Sequence, residues 1–320
     1  MLLARRAVGG GAPRPRQLHM LFAAASVPHP DKAARGGEDA FFCDDATGVF
    51  GVADGVGGSA STDVDPGEFS RALLRHCEDA LSGGSSRLPA VLAAARDTFA
   101  RKPLGGASTL LVGQLEPAED VSEERATLRL LNVGDCGAML LRPAPRRFRQ
   151  GTFTWPRIVL RTADQTHYFN CPYQLSVDDA FEQAADGDEL SAEARPGDVL
   201  VVATDGVLDN LFDTRVQLEV AQHLAALLAP GTVEARTGLD AAARAIGDAA
   251  AAVGRRQDEE GLQTPFSNAA AQEGYRFDGG KLDDVAVIVG VVRRGRIADG
   301  GARRLGNLGK EGECGGGGGG

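Results

Sequence analysis

Short apolar runs punctuated by Asp, Gly or Pro recur along the chain, at residues 40–43, 49–53, 109–115, 127–133, 138–141, 158–161, 199–203 and 285–292. Runs of about four to eight apolar residues bounded by turn formers are the signature of buried strands. A helical spacing interleaves with them. Phe69, Leu73, Cys77 and Leu81 fall on one helical face. Ahead of them, Asp65, Pro66 and Glu68 offer an N-cap, a first-turn proline and a capping-box acid. Further helices are expected over residues 216–228, stopped by Pro230, and over the alanine-rich residues 239–253. Strands and helices cluster instead of alternating strictly, which favours an α+β layered fold over a doubly wound parallel sheet. No internal repeat recurs at a fixed period.

The pattern breaks down at both ends. Arg5, Arg6, Arg14 and Arg16 lie in a stretch with no acidic residue before Asp31. Such an Arg-rich, acid-poor leader reads as an organelle transit peptide over residues 1–28. From residue 294 the chain turns to Gly, Arg and Glu and finishes in glycine over residues 315–320. That composition buries no core, so residues 294–320 are expected to form a disordered tail. The folded domain is expected over residues 29–293.

Composition narrows the function. Hydrophobic residues make up 43% of the 320, enough for a substantial core. No apolar run approaches the roughly 20 residues that span a bilayer, so no membrane span is expected. A formal charge of −10 argues against a nucleic-acid partner, since phosphate backbones are held by surplus Lys and Arg. Cys43, Cys77, Cys136, Cys171 and Cys314 form neither a C-x-x-C pair nor a zinc spacing. They read as free thiols in a reducing compartment.

Candidate chemistry lies at the ends of the apolar runs. One run delivers Asp54-Gly55, another Asp135, another Asp205-Gly206; Asp283-Asp284 opens the last strand and Glu38-Asp39 the first. A single Asp-Gly after a strand is ordinarily a turn. Five acidic strand ends together suggest carboxylates converging on one small volume, where like charges need compensation. Few Lys or Arg flank these motifs, so divalent cations are the expected remedy. Oxygen ligands without His or Cys suit hard ions such as Mg²⁺ or Mn²⁺.

These residues resemble a known family. Glu38-Asp39-Ala40, Ala53-Asp54-Gly55-Val56-Gly57-Gly58, Ala107-Ser108-Thr109, Asn132-Val133-Gly134-Asp135-Cys136-Gly137, Ala203-Thr204-Asp205-Gly206 and Asp283-Asp284-Val285 follow the order of the type 2C, metal-dependent protein phosphatases. Val64-Asp65-Pro66, His167-Tyr168-Phe169-Asn170, Asp209-Asn210, Thr264-Pro265-Phe266 and Gly279-Gly280-Lys281 are similar to the branch containing the T-cell-activation phosphatase homologue. The resemblance implies a four-layer α/β/β/α sandwich of two antiparallel sheets flanked by helices. It also implies a serine/threonine phosphatase with a binuclear Mg²⁺ or Mn²⁺ centre. By position, Asp54 would bridge both ions, the Gly55 carbonyl would bind one, and Asp205 and Asp283 would complete the other's shell. Glu38 and Asp39 would act through bound water, and Asp135 would serve a third, looser ion. A metal-activated water would then attack phosphorus in line.

The chain departs from the family at two positions. Val56 stands where many members carry a histidine that protonates the leaving alkoxide, leaving His167 or a metal-bound water as substitutes. Ala34 occupies the place of the phosphate-holding arginine, so the adjacent Arg35 is the candidate, with Lys32 nearby. Asp284 replaces a frequent Asn. The competing readings are a pseudophosphatase that binds phosphoproteins without turnover and a hydrolase of small phosphate esters. The expected partners are phosphoserine and phosphothreonine proteins. The leader and the branch point to mitochondria, with the chloroplast as the alternative. Residues 176–190 and 257–278, polar and of low regularity, are the candidate substrate-selecting segments.

Overall fold

The computed structural model describes residues 18–56, 65–83, 88–93, 106–118, 125–149, 151–176, 187–295 and 303–306. Two antiparallel sheets stack face to face, each covered on its outer side by helix, giving the expected four-layer α+β sandwich. The first sheet has the order β1-β14-β13-β7-β8, from β1 (Leu18–Val27), β14 (Val285–Arg294), β13 (Val199–Ala203), β7 (Gly137–Phe148) and β8 (Gly151–Arg161). The second is built on β2 (Asp39–Asp44), β3 (Val49–Val56), β5 (Leu110–Pro117), β6 (Ala126–Val133) and β12 (Asp188–Ala194). The short strands β4 (Ala107–Ser108) and β11 (Leu175–Ser176) extend β3, and β15 (Arg303–Gly306) pairs with β2. A separate two-stranded ribbon pairs β9 (Thr166–Tyr168) with β10 (Cys171–Pro172).

Side-chain alternation sorts each strand between two cores. On β13, Leu200 and Val202 enter the layer between the sheets, while Val199, Val201 and Ala203 face the outer helices. On β3, Phe50 and Val52 face inward and Val49 and Ala53 face outward. The outer face of the first sheet is covered by α3 (Asp213–Leu227) and α4 (Thr232–Gly254), which follow the one-turn α2 (Asp205–Leu208). Ala242, Ala243, Ile246 and Ala250 of α4 are buried there. The second sheet is covered by α1 (Pro66–Ser82), whose Phe69, Leu73, Cys77 and Leu81 are buried as the spacing predicts. Asp65 caps α1 by accepting the Gly67 N–H at 3.1 Å. The last helix is α5 (Pro265–Gln272). No described helix is long and apolar enough to cross a membrane. Cys43, Cys77, Cys136 and Cys171 are free thiols; Cys314 lies outside the described residues.

The structure moves both expected domain boundaries. Leu18–Val27, placed inside the leader of residues 1–28, pairs along its whole length with β14, from Leu18 opposite Arg294 to Val27 opposite Val285. Met20, Leu21 and Phe22 are fully buried, so this segment is part of the core. The expected tail of residues 294–320 likewise contributes Arg303–Gly306 to the edge of the second sheet, and Arg304 pairs with Asp240 of α4 at 2.6 Å. The rest of that tail from residue 307, and residues 1–17, lie outside the described residues.

Candidate metal centre

The site forms where the two sheets meet at one end of the sandwich. In the second sheet, Asp39 at the start of β2 stands opposite Asp54 near the end of β3. The Ala107-Ser108-Thr109 motif fixes the Asp54 backbone. Ser108 Oγ donates to the Asp54 carbonyl at 2.8 Å, Thr109 N–H donates to the same oxygen at 3.0 Å, and Thr109 Oγ1 accepts the Asp54 N–H at 3.2 Å. Gly55 is required at its position: a Cβ there would lie 2.5 Å from the Pro66 carbonyl oxygen at the start of α1.

The first sheet supplies the facing half. Just past β13 comes Thr204, whose hydroxyl donates to Asp39 Oδ2 at 2.7 Å and accepts the Ala286 N–H at 3.0 Å. Asp205 then opens α2 and is buried. Gly206 lets this turn pass Asp284, whose carbonyl oxygen would lie 1.8 Å from an added Cβ. Asp283 and Asp284 enter just before β14, and Asp135 follows β6. Asp284 acts as a clamp. It accepts the His29 N–H at 2.7 Å and the Glu38 N–H at 3.1 Å, so it holds the segment carrying Glu38 against β14.

Two lysines enter the cluster, contrary to the expectation that few cations flank these acids. Lys32 Nζ lies 2.6 Å from Glu38 Oε2 and 3.2 Å from Asp284 Oδ2. Lys281 Nζ lies 2.6 Å from both Asp205 Oδ2 and Asp209 Oδ2, and 3.7 Å from Asp283 Oδ2. Burial alone would lower the Lys281 pKa, but Asp205, Asp209 and Asp283 outweigh it and hold the ammonium charged. Lys281 and Asp209 were legible only as branch features; what they do needed the fold.

Electrostatic strain persists despite these cations. Burial, then Asp205 and Asp283, push the Asp54 carboxyl well above the usual carboxylate range. Burial, then Asp54 and Asp284, do the same to Asp39, and burial, then Asp205 and Asp54, to Asp135. Asp283 is raised to about 6 by burial and Asp205, against the opposing pull of Lys281. Asp135 Oδ1 and Asp205 Oδ1 are buried with no hydrogen-bond partner. A buried acceptor without a donor is costly, and a hard cation is the partner these all-oxygen groups suit. As the side chains lie, no three acidic, His or Cys groups among the described residues close around one point; the lysine ammoniums bridge them instead. The donor set therefore fits Mg²⁺ or Mn²⁺, with Lys281 as the group an ion must contend with.

The remaining candidates fall at the rim. Arg35 is 54% exposed and makes only loose ion pairs, 3.8 Å to Glu38 Oε1 and 3.9 Å to Asp65 Oδ1. Val56 ends β3 opposite Ala107. His167 is exposed on β9 and packs at a tilt against Tyr173, ring centroids 4.6 Å apart. Of the two segments proposed to select substrate, residues 257–278 contain α5, capped by Thr264 and Ser267 in a reciprocal box. Residues 188–190 of the other begin β12, and residues 177–186 lie outside the described residues.

No family model matches the chain. It is similar to "Probable protein phosphatase 2C 26" of Arabidopsis thaliana, 34% identical over 280 residues, covering 83% of this chain and 82% of that protein. "Probable protein phosphatase 2C 1" of Oryza sativa subsp. japonica is 31% identical over 285 residues, covering 85% and 75%. Among solved structures, the photosystem II phosphatase PBCP superposes with a TM-score of 0.68 at 29% identity, covering 85% of this chain and 98% of that one. The serine/threonine phosphatase PstP/Ppp of Mycobacterium tuberculosis shares the fold at a TM-score of 0.50 and 19% identity, over 86% and 99%.

Proposed function

The chain belongs to the protein phosphatase 2C family and is a serine/threonine phosphatase, a hydrolase; on that premise we propose that it dephosphorylates phosphoserine and phosphothreonine proteins with two divalent ions held at the junction of its sheets. The observation that carries this is the meeting of Asp39 and Asp54 from one sheet with Asp205 and Asp283 from the other, with Asp135 Oδ1 and Asp205 Oδ1 buried and lacking a donor. Asp54, the Gly55 carbonyl, Asp205 and Asp283 would hold the two ions, Glu38 and Asp39 would act through water, and Asp135 would serve a third, looser ion. Mg²⁺ or Mn²⁺, when bound, supplies Lewis acidity and a water of lowered pKa.

The chain's own groups do the rest. Ser108 and Thr109 fix the Asp54 backbone, and Thr204 orients Asp39. Arg35, exposed and loosely paired at the rim, is the side chain to meet the phosphate dianion. Val56 carries no proton to donate, so the chain offers no acid at the position after Asp54-Gly55. The segment of residues 257–278 reaches the site through Phe266, whose N–H donates to the Asp209 carbonyl at 3.1 Å and whose ring lies under Lys281. That contact supports it as one wall of the substrate cleft.

The test is phosphate release from a phosphothreonine peptide by the full chain with Mn²⁺, with Mg²⁺ and with excess chelator. Release that requires metal and disappears in Asp205→Asn supports the proposal; none from folded, metal-loaded protein would leave a phosphoprotein-binding scaffold. We also propose that the chain is sent to an organelle by residues 1–17, which hold all four leader arginines and stop short of β1. The photosystem II phosphatase among its relatives supports the chloroplast over the mitochondrion. Residues 1–17 fused to a fluorescent protein should carry it to one of these organelles, and a diffuse cytosolic signal would overturn the address.

A further inference from the structure

One group at the site has no part in the catalytic reading. Lys281 is buried to the point that its side chain is 18% exposed, and its ammonium bridges Asp205 and Asp209, with Asp283 close by. Its backbone is pinned from both sides. Asn210 Nδ2 donates to the Lys281 carbonyl at 2.8 Å, and the Lys281 N–H donates to Asn210 Oδ1 at 3.0 Å. The same Asn210 amide nitrogen donates to the Gly206 carbonyl at 2.9 Å. Lysine, Asp205 and Asp209 thus belong to one frame made by α2 and the segment before β14. Exposed, flexible ion pairs contribute little, but here both partners are held and largely shielded from water.

We propose that Lys281 is a tethered counter-cation that holds Asp205 and Asp283 in place in the metal-free protein and must release them to a divalent ion, so that it sets how tightly the site takes its metal. The inference rests on the reading that Asp205 and Asp283 are metal ligands. An ammonium and a divalent ion cannot share a carboxylate oxygen without strong repulsion. Binding an ion therefore includes the cost of breaking the 2.6 Å contact between Lys281 and Asp205. Asp209, which the catalytic reading does not use, gives the ammonium a place to stay: the equal contact on that side survives when Asp205 is surrendered. The Phe266 ring, 5.0 Å from Nζ, shelters it there. Lys281 is a positioning residue in this account, acting through Asp205.

The experiment is calorimetric titration of chelator-stripped full-length protein with Mn²⁺, for the wild type, Lys281→Met and Lys281→Arg. Removing the competing cation should tighten Mn²⁺ binding in Lys281→Met by about tenfold, while Lys281→Arg stays near the wild type. The stripped Lys281→Met protein should also melt at a lower temperature than the stripped wild type. Unchanged or weaker Mn²⁺ binding in Lys281→Met would make the lysine a mere prop for its carboxylates and overturn the inference. A wild type that binds no Mn²⁺ would overturn both the metal reading and this one. If Lys281→Met does not fold, ¹⁵N-lysine side-chain spectra of the wild type decide the matter. The Lys281 signal, identified by its loss in Lys281→Arg, must move on saturation with Mg²⁺; a signal that stays fixed rejects displacement.

Discussion

The Thr204 hydroxyl donates a 2.7 Å hydrogen bond to Asp39 Oδ2, and this contact ties the two sheets together at the candidate metal centre. Thr204 directly follows β13 of the first sheet and Asp39 opens β2 of the second. The hydroxyl also accepts the Ala286 N–H, so one side chain aligns β13, β14 and β2. Replacing Thr204 with Val keeps the shape and removes the donor. A buried carboxylate deprived of a hydrogen bond costs about 1–3 kcal/mol, which denaturant titration of the chelated protein should show. Thr204→Ser should restore most of that loss together with phosphatase activity.

Asp54 is held at a cost to stability. Burial, Asp205 and Asp283 all oppose its ionised form, so at neutral pH this carboxyl works against the stability of the fold when no divalent ion is bound. Asp54→Asn removes the charge at nearly constant volume. The chelated variant should melt at a higher temperature than the chelated wild type, while activity falls by at least about a hundredfold, as function is lost where a strained site is relaxed. Differential scanning calorimetry beside a phosphate-release assay separates the two effects.

The stability of the chelated protein and the stabilisation conferred by metal should depend on pH in opposite senses. Burial and Asp205 raise Asp283 to about 6, and burial raises Asp209 to about 7 against the pull of Lys281, both from 3.8. A carboxyl with a raised folded pKa binds protons more readily in the folded state. Its contribution therefore favours the fold at low pH and is lost as the pH rises from about 4 to about 7. Chelated protein should melt lower at about pH 7.5 than at about pH 5.5. The stabilisation conferred by Mn²⁺ should grow over the same interval, because the ion requires ionised carboxylates. Melting curves at both pH values, with and without Mn²⁺, check both signs.

The candidate ligand acids were legible in the sequence for a physical reason. A buried strand reads as an apolar run, and an acid at its end interrupts that run, so Asp54, Asp205 and Asp283 stood out at the ends of segments that the fold does bury. The phase of α1 was legible from Phe69, Leu73, Cys77 and Leu81 in the same way. β12 was missed because it is an edge strand, paired on one side only with β6, and its Asp188, Glu189 and Glu193 face solvent. β1 was missed because an apolar segment behind four arginines looks like part of a leader. Its partner β14 is over 250 residues away in sequence, and register at that distance leaves no local mark. Lys281 was in view two residues before Asp283, yet spacing alone does not show that its ammonium turns back onto Asp205.

The boundary at Leu18 has a direct consequence. Removing residues 1–17 should leave folding and phosphatase activity intact. Removing residues 1–28 strips β1 from β14 and exposes the core positions that Leu18, Met20, Leu21 and Phe22 cover. Each such side chain contributes about 1.5–3 kcal/mol, so the shorter protein should be insoluble or unfolded by circular dichroism. Two well-folded truncations would show that β1 is dispensable.

The proposed role of the carboxylates gathered where the sheets meet is to hold divalent ions. Anomalous diffraction at the manganese edge, from crystals of the protein grown with Mn²⁺, tests it most directly. Anomalous peaks are expected in contact with Asp54, Asp205 and Asp283, with the Lys281 ammonium drawn away from Asp205 toward Asp209. No peak at those carboxylates, or manganese bound only elsewhere with Lys281 still seated on Asp205, would contradict it.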